Sequence, residues 1–408
     1  MKIIHFADVH LGMENYGKFD SETGLNSRLG DFLNSFSYLV NVAKKEKIDL
    51  VLFAGDAFRT REPSPTYQKA FAQKIYEIAC ADIPVALLVG NHDFPNALGK
   101  ANTLEIYKTL NVKNVFLISN EVKLIETKSG PIQVAGLPWY TKQQLISKDD
   151  TKLPVDKINL KLSNALQEKI EYLSSKIDPK LPSILLAHAT IEGSTYGSER
   201  SVMIGSDIIL PIESIRKSNF NYVALGHIHK FQEIIQKPPV VYSGSIERVD
   251  FGEEKEDKGF VLVDITPGSN KNWKANFKFI ETPARKFLTI NVLISENDEP
   301  NEKIFNTIKK FNISEAIVKL IINISEEKQA EISESQIREV LKDANFIGGI
   351  IKVVKSTTRI QIKNGFSDEL ASLDTLGILE KYLKSKNIKA SHQIELLKTA
   401  ENLIEELQ

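Results

Sequence analysis

The chain has 408 residues, enough for two or three domains, and its 42% hydrophobic and 26% charged residues are typical of a globular protein. The formal net charge of −1 excludes an overall basic field but is compatible with a local basic groove that binds nucleic acid. The single cysteine, Cys80, excludes an internal disulfide, and we expect it to be buried. Every apolar run falls short of the roughly 20 residues that a membrane span requires, and we find no secretory signal, so we expect a cytoplasmic protein without membrane contact.

The first part of the chain alternates short apolar runs with amphipathic stretches. Residues 3–8 and 48–54 are apolar and predict buried strands, and between them residues 28–43 carry apolar side chains at helical spacing. A strand–helix–strand order of this length predicts a parallel sheet in an α/β fold. Further helices are predicted at 63–80, 97–110 and 157–177, and further strands at 83–89, 114–125, 132–137, 183–187, 222–225, 240–242 and 259–265.

Carboxylate, amide and imidazole side chains follow these apolar runs where the predicted strands end. Gly90-Asn91-His92-Asp93 suits a metal site or acid–base chemistry, although a hairpin turn capped by Asp93 is the alternative. Asp8 and His10 could likewise face one ligand, or be a capping carboxylate beside a core histidine. Because ligands of open α/β sheets lie at the carboxyl ends of the strands, we expect such side chains to share one edge. The candidates are Asp8, His10, Asp56, Asn91, His188, His227 and His229.

This set combines three oxygen donors with several imidazoles and contains no thiolate, which excludes a cysteine-based structural zinc site. Mixed oxygen and nitrogen donors suit Mn²⁺, Fe²⁺ or Zn²⁺, and the donor types do not choose among these metals. The candidates exceed the needs of one ion, so we expect two. Two ions ~3.5–4 Å apart can clamp both oxygens of an in-line phosphoryl displacement.

The chain resembles the calcineurin-like metallophosphoesterase superfamily in five motifs that occur in order over residues 1–265: Asp8-x-His10, Gly55-Asp56, Gly90-Asn91-His92-Asp93, His188 and Gly226-His227-x-His229. Longer strings at 6–12, 135–140 and 244–253 resemble SbcD-type nucleases, the prokaryotic counterparts of the double-strand-break repair nuclease. The resemblance implies an α/β (α+β) fold. It would be a four-layer metallophosphoesterase β-sandwich flanked by helices, with a small α/β capping domain and C-terminal helices.

The same resemblance implies two divalent metal ions, with Mn²⁺ expected, and a bridging role for Asp56. His92 is then not a ligand but protonates the leaving oxygen or stabilises its charge, which suits a group that titrates near neutral pH. Asp93 either orients the His92 ring or caps its loop. The implied ligands are Asp8, His10, Asp56 and His229 for one ion, and Asp56, Asn91, His188 and His227 for the other.

One position departs from the family pattern. Some members carry a histidine three residues after the bridging aspartate, where this chain has Arg59, which can hold a phosphate but cannot act as an acid near neutral pH. The balance between exonuclease and endonuclease activity is therefore open. Basic residues near the presumed edge are candidate DNA contacts, with plain solvated charges as the alternative. They are Lys18, Arg28, Arg59, Arg61 and Lys100.

Beyond the first region, alternating strand and helix patterns predict a small α/β module. Ser333-x-x-Gln336 is a capping-box signature for its second helix. The predicted divisions are a nuclease domain at 1–280, a DNA-capping domain at 281–357, a linker at 358–365 and a helical motif at 366–408.

The helical motif carries two apolar stripes, which either dock back onto the chain or grip the coiled coil of a partner. Resemblance identifies this partner as an SMC-like ATPase of SbcC type. The candidate partner-binding residues are Leu376, Leu379, Leu383, Ile394, Leu397, Ile404 and Leu407.

The resemblance implies a two-metal DNA nuclease of an SbcCD-type complex in double-strand break repair and recombination. It would act as an exonuclease on double-strand ends and as an endonuclease on hairpins and single strands. The resemblance also implies a homodimer, with segments 63–80 and 97–110 as candidate interface helices. The alternatives are a nucleotide phosphodiesterase or phosphomonoesterase on the same metal core, and a non-catalytic scaffold that binds DNA ends.

Overall fold

The computed structural model describes residues 1–94, 100–147, 149–197, 207–268, 272–355, 379, 383 and 390–405. Two six-stranded sheets pack face to face, and helices cover the outer face of each. This helix–sheet–sheet–helix arrangement confirms the predicted four-layer sandwich, to which a smaller α/β module is added.

The first sheet has four parallel strands with an antiparallel hairpin at one side. Ile3 pairs with Leu50 and Phe6 with Phe53, so the first two strands end level with one another. Numbered along the chain, its strands are β1 (Lys2–Phe6), β2 (Leu50–Phe53), β3 (Val85–Leu87), β4 (Val115–Leu117), β13 (Gly259–Pro267) and β14 (Trp273–Glu281). Their spatial order in the sheet is β14-β13-β1-β2-β3-β4.

The second sheet has a parallel centre with antiparallel strands at both edges. Its strands are β5 (Val122–Thr127), β6 (Gly130–Leu137), β7 (Ser183–His188), β10 (Tyr222–Gly226), β11 (Gln232–Gln236) and β12 (Pro239–Tyr242), in the spatial order β11-β12-β10-β7-β6-β5. A separate parallel pair is made by β8 (Thr190–Ile191) and β9 (Ile209–Leu210).

Three apolar cores hold the layers together. Ile3, Leu52 and Leu186 lie between the sheets without solvent exposure, and each such burial contributes about 1.5–3 kcal/mol. The helices of this region are α1 (Ser27–Lys45), α2 (Pro65–Ala79), α3 (Glu105–Thr109), α4 (Lys142–Leu145), α5 (Val155–Ser175) and α6 (Ile212–Arg216). The two outer cores lie beneath α1 and α2 on the first sheet and beneath α5 on the second.

Three local predictions are wrong. Of the helix expected at 97–110, residues 97–99 lie outside the described residues and the described part is helical only over Glu105–Thr109; just ahead of it the Asn102 side chain accepts the backbone N–H groups of Leu104 and Glu105. The strand expected at 114–125 is two strands, since the chain leaves the first sheet and enters the second around Asn120, which has a left-handed φ of 48°. Cys80 is exposed at the end of α2 rather than buried.

The smaller module is a three-stranded parallel sheet with two helices packed on one face. Ser333 precedes the second helix as predicted, but its side chain makes no capping bond to the backbone, so the capping box is absent. The elements are β15 (Phe287–Leu293), α7 (Pro300–Ile308), β16 (Ile317–Ser325), α8 (Glu334–Val340) and β17 (Phe346–Lys355).

The last described element is helix α9 (Ala390–Glu405). Its Ile394 side chain is 68% exposed, whereas Leu383 ahead of the helix is 5% exposed. Three other partner-binding candidates cannot be described: the residues Leu376 and Leu407 and the side chain of Ile404 lie outside the described residues. The predicted linker at 358–365 also lies outside them. Within the described ranges, no helix combines the length and apolar character that crossing a bilayer requires.

Candidate metal centre

The seven predicted ligands lie together where strands of the two sheets end. Four of them have a left-handed backbone conformation, which turns their side chains back toward the shared edge and is typical of strained functional sites. These are Asp8, His10, Asp56 and His227, with φ of 52°, 49°, 62° and 99°. The strand ends involved are those of β1, β2, β3, β7 and β10.

Two glycines let the loops approach closely enough to form the site. A Cβ atom on Gly90 would lie 2.1 Å from Asp56 Oδ1 and 2.5 Å from the Asp56 nitrogen. A Cβ on Gly55, whose φ is +97°, would lie 2.5 Å from His188 Nδ1. Contact distance therefore requires glycine at both positions, and at Gly55 the left-handed backbone requires it as well.

Three histidines each donate one ring N–H to a fixed acceptor. These bonds join His229 Nδ1 to Glu253 Oε1 at 2.7 Å, His188 Nδ1 to the Ala54 carbonyl at 2.7 Å, and His227 Nε2 to Asp207 Oδ2 at 3.1 Å. In a neutral ring the other nitrogen then carries a lone pair. Fixing the tautomer in this way is how proteins prepare histidines as metal ligands.

The lone pairs of His188 and His227 converge on one oxygen. Asn91 Oδ1 lies 2.9 Å from His188 Nε2 and 3.0 Å from His227 Nδ1. Asp56 Oδ2 lies 3.6 Å from the same His188 nitrogen. Acceptors that face one another without a proton repel, so this arrangement fits a cation among these atoms.

A second group of donors lies on the other side of Asp56. His10 Nε2 is 2.9 Å from His229 Nε2 and 3.6 Å from Asp56 Oδ2, and His10 Nδ1 is buried with no hydrogen-bond partner among the described residues. Ligand atoms of Asp8, His10 and His229 lie within 4.8 Å of one another, as do those of Asp8, Asp56 and His188. The residues therefore fit two neighbouring divalent ions with the Asp56 carboxylate between them.

The electrostatics keep these groups in the forms that bind metals. Burial, together with nearby His229, holds the pKa of His10 well below its usual value. Burial lowers the pKa of His188 to about 4. Burial would raise the pKa of Asp56, but the imidazoles of His188, His92 and His10 bring it below its usual range. Neutral imidazoles around an ionised carboxylate are the state that metal binding requires.

His92 borders the centre. Its backbone N–H donates to Asp56 Oδ1 at 2.8 Å, and its ring Nδ1 donates to the Arg59 carbonyl at 2.8 Å. The ring lies edge-on to His10 with centroids 4.9 Å apart and opens into a recess of about 350 Å³ that Arg59 and Arg61 also line. A ligand atom of His92 also lies within 4.8 Å of ligand atoms of His10 and Asp56, so the metal content of a His92 variant distinguishes a metal ligand from a proton donor.

Asp93 caps the loop. Its carboxylate accepts the backbone N–H groups of Asp56, Ala57 and Gly90 at 2.9, 2.9 and 3.1 Å, while the His92 ring bonds elsewhere. Burial and the Asp56 carboxylate raise the pKa of Asp93 to about 7, against the lowering effect of these donors. Of the two roles predicted for Asp93, the structure therefore supports loop capping.

Two acidic residues behind the histidines were missed by the sequence analysis. Glu253 lies within the string 244–253, where it contributed only to a family resemblance. Asp207 precedes the short strand β9 and also accepts hydrogen bonds from Thr190 Oγ1 and Tyr196 Oη at 2.8 and 3.0 Å. Neither residue follows an apolar strand, so the signal that found the ligands could not find them.

The predicted DNA contacts divide into two groups. Lys18, Arg59, Arg61 and Lys100 are exposed to different degrees, and Lys100 pairs with Glu62 at 3.0 Å. The prediction that Arg28 contacts DNA is wrong, because its side chain is fully buried and cannot reach DNA. It donates to Asp31 at 2.6 Å and to the Arg248 carbonyl, and its guanidinium lies 5.4 Å from the centre of the Phe287 ring, beneath the smaller module.

We expect Arg28→Ala to lower the free energy of unfolding by on the order of 3 kcal/mol, because it leaves the buried carboxylates of Asp31 and Glu247 short of a cation. Urea denaturation measures this change. Lys18→Ala is the control, since the Lys18 side chain lies at the surface and its loss should change stability by less than about 0.5 kcal/mol. Equal stability of the two variants would contradict the structural role of Arg28.

The four-layer fold and the two groups of donor residues are those expected of a metallophosphoesterase, and the sequence comparison shows the family. The profile of the calcineurin-like phosphoesterase family matches residues 1–231, and the chain belongs to this family.

The chain is also similar to individual relatives. The SbcD subunit of the SbcCD nuclease from Staphylococcus epidermidis is 31% identical over 274 residues, covering 65% of this chain and 66%, just under two thirds, of the relative. The protein of the same name from Bacillus subtilis is 27% identical over 282 residues, covering 67% of this chain and 68% of the relative. Among solved structures, a dimetal phosphatase from Danio rerio is 10% identical with a TM-score of 0.40, covering 68% of this chain and 98% of that one.

Proposed function

We propose that this chain is the two-metal nuclease subunit of an SbcCD-type complex, acting on DNA double-strand ends as an exonuclease and on hairpins and single strands as an endonuclease. The observation that carries the proposal is the convergence of acceptor atoms from Asn91, His188 and His227 beside Asp56. The names of the two relatives, both nucleases, support a nucleic-acid substrate. A complete donor set argues against a non-catalytic scaffold.

Two divalent ions in this centre would neutralise the charge of a phosphodiester and activate a water for attack on phosphorus. The proposed ligands are Asp8, His10, Asp56 and His229 on one side, and Asp56, Asn91, His188 and His227 on the other. Mn²⁺ is the proposed metal because the resemblance to SbcD-type nucleases implies it, whereas the donor types suit Mn²⁺, Fe²⁺ and Zn²⁺ alike.

His92 is the proposed proton donor to the leaving group. With Nδ1–H donated to the Arg59 carbonyl, the protonated ring has Nε2–H available for the departing oxygen. The recess beside it presents Arg59 and Arg61, whose guanidinium groups suit phosphate oxygens of a nucleic-acid backbone. These residues orient the substrate and transfer the proton, while Asp93 keeps the loop in shape.

The proposal is tested by incubating an end-labelled linear duplex with the chain in Mn²⁺, Mg²⁺ or EDTA. We expect cleavage with Mn²⁺ and none with EDTA. Turnover of a small nucleotide phosphodiester without any cutting of DNA would contradict the proposal. It would assign the chain to the nucleotide phosphodiesterases on the same core.

We further propose that the C-terminal helices bind an SMC-like ATPase of SbcC type. Ile394 and Leu396 of α9 are 68% and 37% exposed, so this helix presents apolar side chains that a partner helix could cover. The predicted homodimer draws support from large apolar side chains on the two candidate segments. Tyr76, Ile106 and Leu110 are 61%, 53% and 67% exposed.

Deletion of residues 366–408 should abolish co-elution with the ATPase while Mn²⁺-dependent cleavage by the remaining chain survives. A sharper form compares Ile394→Ala with its exposed neighbour Glu395→Ala. We expect the first to weaken binding about tenfold, the loss of an apolar interface contact, and the second to have little effect. Co-elution that persists after the deletion would refute the partner-binding role.

A further inference from the structure

A short 3₁₀ turn, Phe251–Glu253, lies between the candidate metal centre and the smaller module. We name Phe251–Glu253 the relay turn. Glu253 at its end contacts a histidine of the centre, whereas Phe251 at its start contacts the module. The two faces of one turn therefore meet two different parts of the protein.

The metal side of the relay turn is fully buried and tightly held. Glu253 Oε1 accepts from His229 Nδ1 at 2.7 Å, and Oε2 lies 2.8 Å from the backbone nitrogen of Val249 and 3.0 Å from Lys258 Nζ. Lys258 Nζ also donates to the His229 carbonyl at 3.0 Å. The position of the Glu253 carboxylate thus sets the orientation of the His229 ring, whose Nε2 faces the centre.

On its other side, the relay turn contacts the smaller module through the packing of aromatic rings and one hydrogen bond from a backbone N–H. The Phe251 ring packs edge-on against Phe287 of β15 with centroids 4.9 Å apart, and Lys319 Nζ of β16 lies 4.1 Å from its centre. On β17, a Cβ at Gly348 would lie 2.7 Å from Phe251 Cε2. Next to the turn, Glu254 Oε1 accepts the backbone N–H of Thr289 at 2.8 Å.

We propose that Glu253 is a positioning residue for His229 and that the smaller module holds Glu253 in place through Phe251 and Glu254. Docking of the module then determines how well His229 serves its metal ion. This inference rests on the proposed function, and it adds that a contact outside the centre controls metal affinity. Partners of metal-binding histidines have such an effect, since their loss typically costs about 10–100-fold in affinity.

Two adjacent glycines of β17 provide the test. Gly348→Ala places a methyl group 2.7 Å from Phe251 Cε2 and 3.3 Å from Tyr16 Cδ1, and the Tyr16 and Phe287 rings both pack edge-on against the Phe251 ring. Because these rings must move together, we expect the variant to displace Phe251 and with it the relay turn. Gly349→Ala is the matched control, because its nearest atom would be Ile351 Cγ1 at 3.9 Å, an ordinary contact. Glu253→Gln removes the carboxylate charge at the other end of the same path.

The measurement is titration of each full-length variant with Mn²⁺ alone by calorimetry, after circular dichroism has shown that the variant is folded. We expect Glu253→Gln and Gly348→Ala each to weaken one of two binding events at least about tenfold, with Gly349→Ala unchanged. Glu254→Ala, which removes the bond to Thr289, should act in the same direction and replaces Gly348→Ala if that variant fails to fold.

Wild-type affinity in Gly348→Ala and Glu254→Ala would overturn the coupling to the module. Wild-type affinity in Glu253→Gln would overturn the positioning role. Either result leaves the proposed nuclease function intact, because that function depends on DNA cleavage by the unaltered chain. A wild-type chain that takes up no Mn²⁺ would contradict the proposed function and this inference together.

Discussion

Asp56→Ala should reduce metal affinity more than about 100-fold and DNA cleavage to background. Even the loss of a residue that only hydrogen-bonds to a metal ligand typically lowers metal affinity by about 10–100-fold. Asp56 faces both donor groups, with Oδ2 3.6 Å from His10 Nε2 and 3.6 Å from His188 Nε2. Because the Asp56 carboxylate approaches a histidine of each donor group, we expect its removal to affect both ions. Elemental analysis of the purified variant, dialysed against Mn²⁺, measures the loss.

Asp49→Ala is the matched control for this variant. Asp49 is also buried beside β2, but at the amino end of the strand, where it accepts from the Lys2 backbone and from Ser129 Oγ at 2.8 Å each. Its loss should lower stability without changing the metal content. An unchanged metal content in Asp56→Ala would remove the basis for a bridging carboxylate.

The variant His92→Ala should keep both metal ions yet cut DNA about 10²–10⁴-fold more slowly, the usual effect of losing a general acid. Metal binding should survive because the bond to Asp56 Oδ1 comes from the His92 backbone N–H, which alanine retains. Metal content and cleavage rate are measured on the same preparation, so the two effects are separated.

His392→Ala serves as the control for this substitution. The His392 ring lies on α9, is 63% exposed and pairs only with Glu395 at 3.3 Å among the described residues, so its loss should leave metal content and cleavage unchanged. A loss of one ion in His92→Ala would instead make His92 a ligand. The proximity of its ring to His10 and Asp56 would then be a coordination contact.

The sequence could predict the convergence of the candidate ligands because two strong signals coincide. Each apolar run is long enough to be recognised as a strand, and parallel strands bring their carboxyl ends to one edge. Asp8, Asp56 and His188 each follow such a run, and their ligand atoms lie within 4.8 Å of one another. Predicting that these three residues lie close together required only that the runs before them be recognised as parallel strands of the fold.

The residues behind the ligands could not be predicted in this way. Glu253 contacts His229 through a turn, and Asp207 contacts His227 from a loop, so local periodicity carries no information about either. Arg28 was predicted to lie at the surface for the same reason. The sequence around the start of a helix does not reveal that Asp31 and the distant Glu247 surround this arginine in the fold.

Strand boundaries failed where the chain changed sheets or became an edge. Residues 114–125 contain apolar side chains on both sides of Asn120, so the crossover between sheets is invisible in the pattern. Strand β14 (Trp273–Glu281) is missing from the predicted strands, although Trp273, Ala275, Phe277 and Phe279 alternate with polar residues along it. Such alternation is typical of an antiparallel strand with one solvated face, but here it runs up to the predicted domain division at 280.

The central claim is that these seven side chains hold two divalent ions that share Asp56. Anomalous diffraction from crystals grown with Mn²⁺ tests it most directly. We expect two peaks, one among Asp8, His10, Asp56 and His229 and the other among Asp56, Asn91, His188 and His227. A single peak, or peaks that do not contact Asp56, would contradict the account.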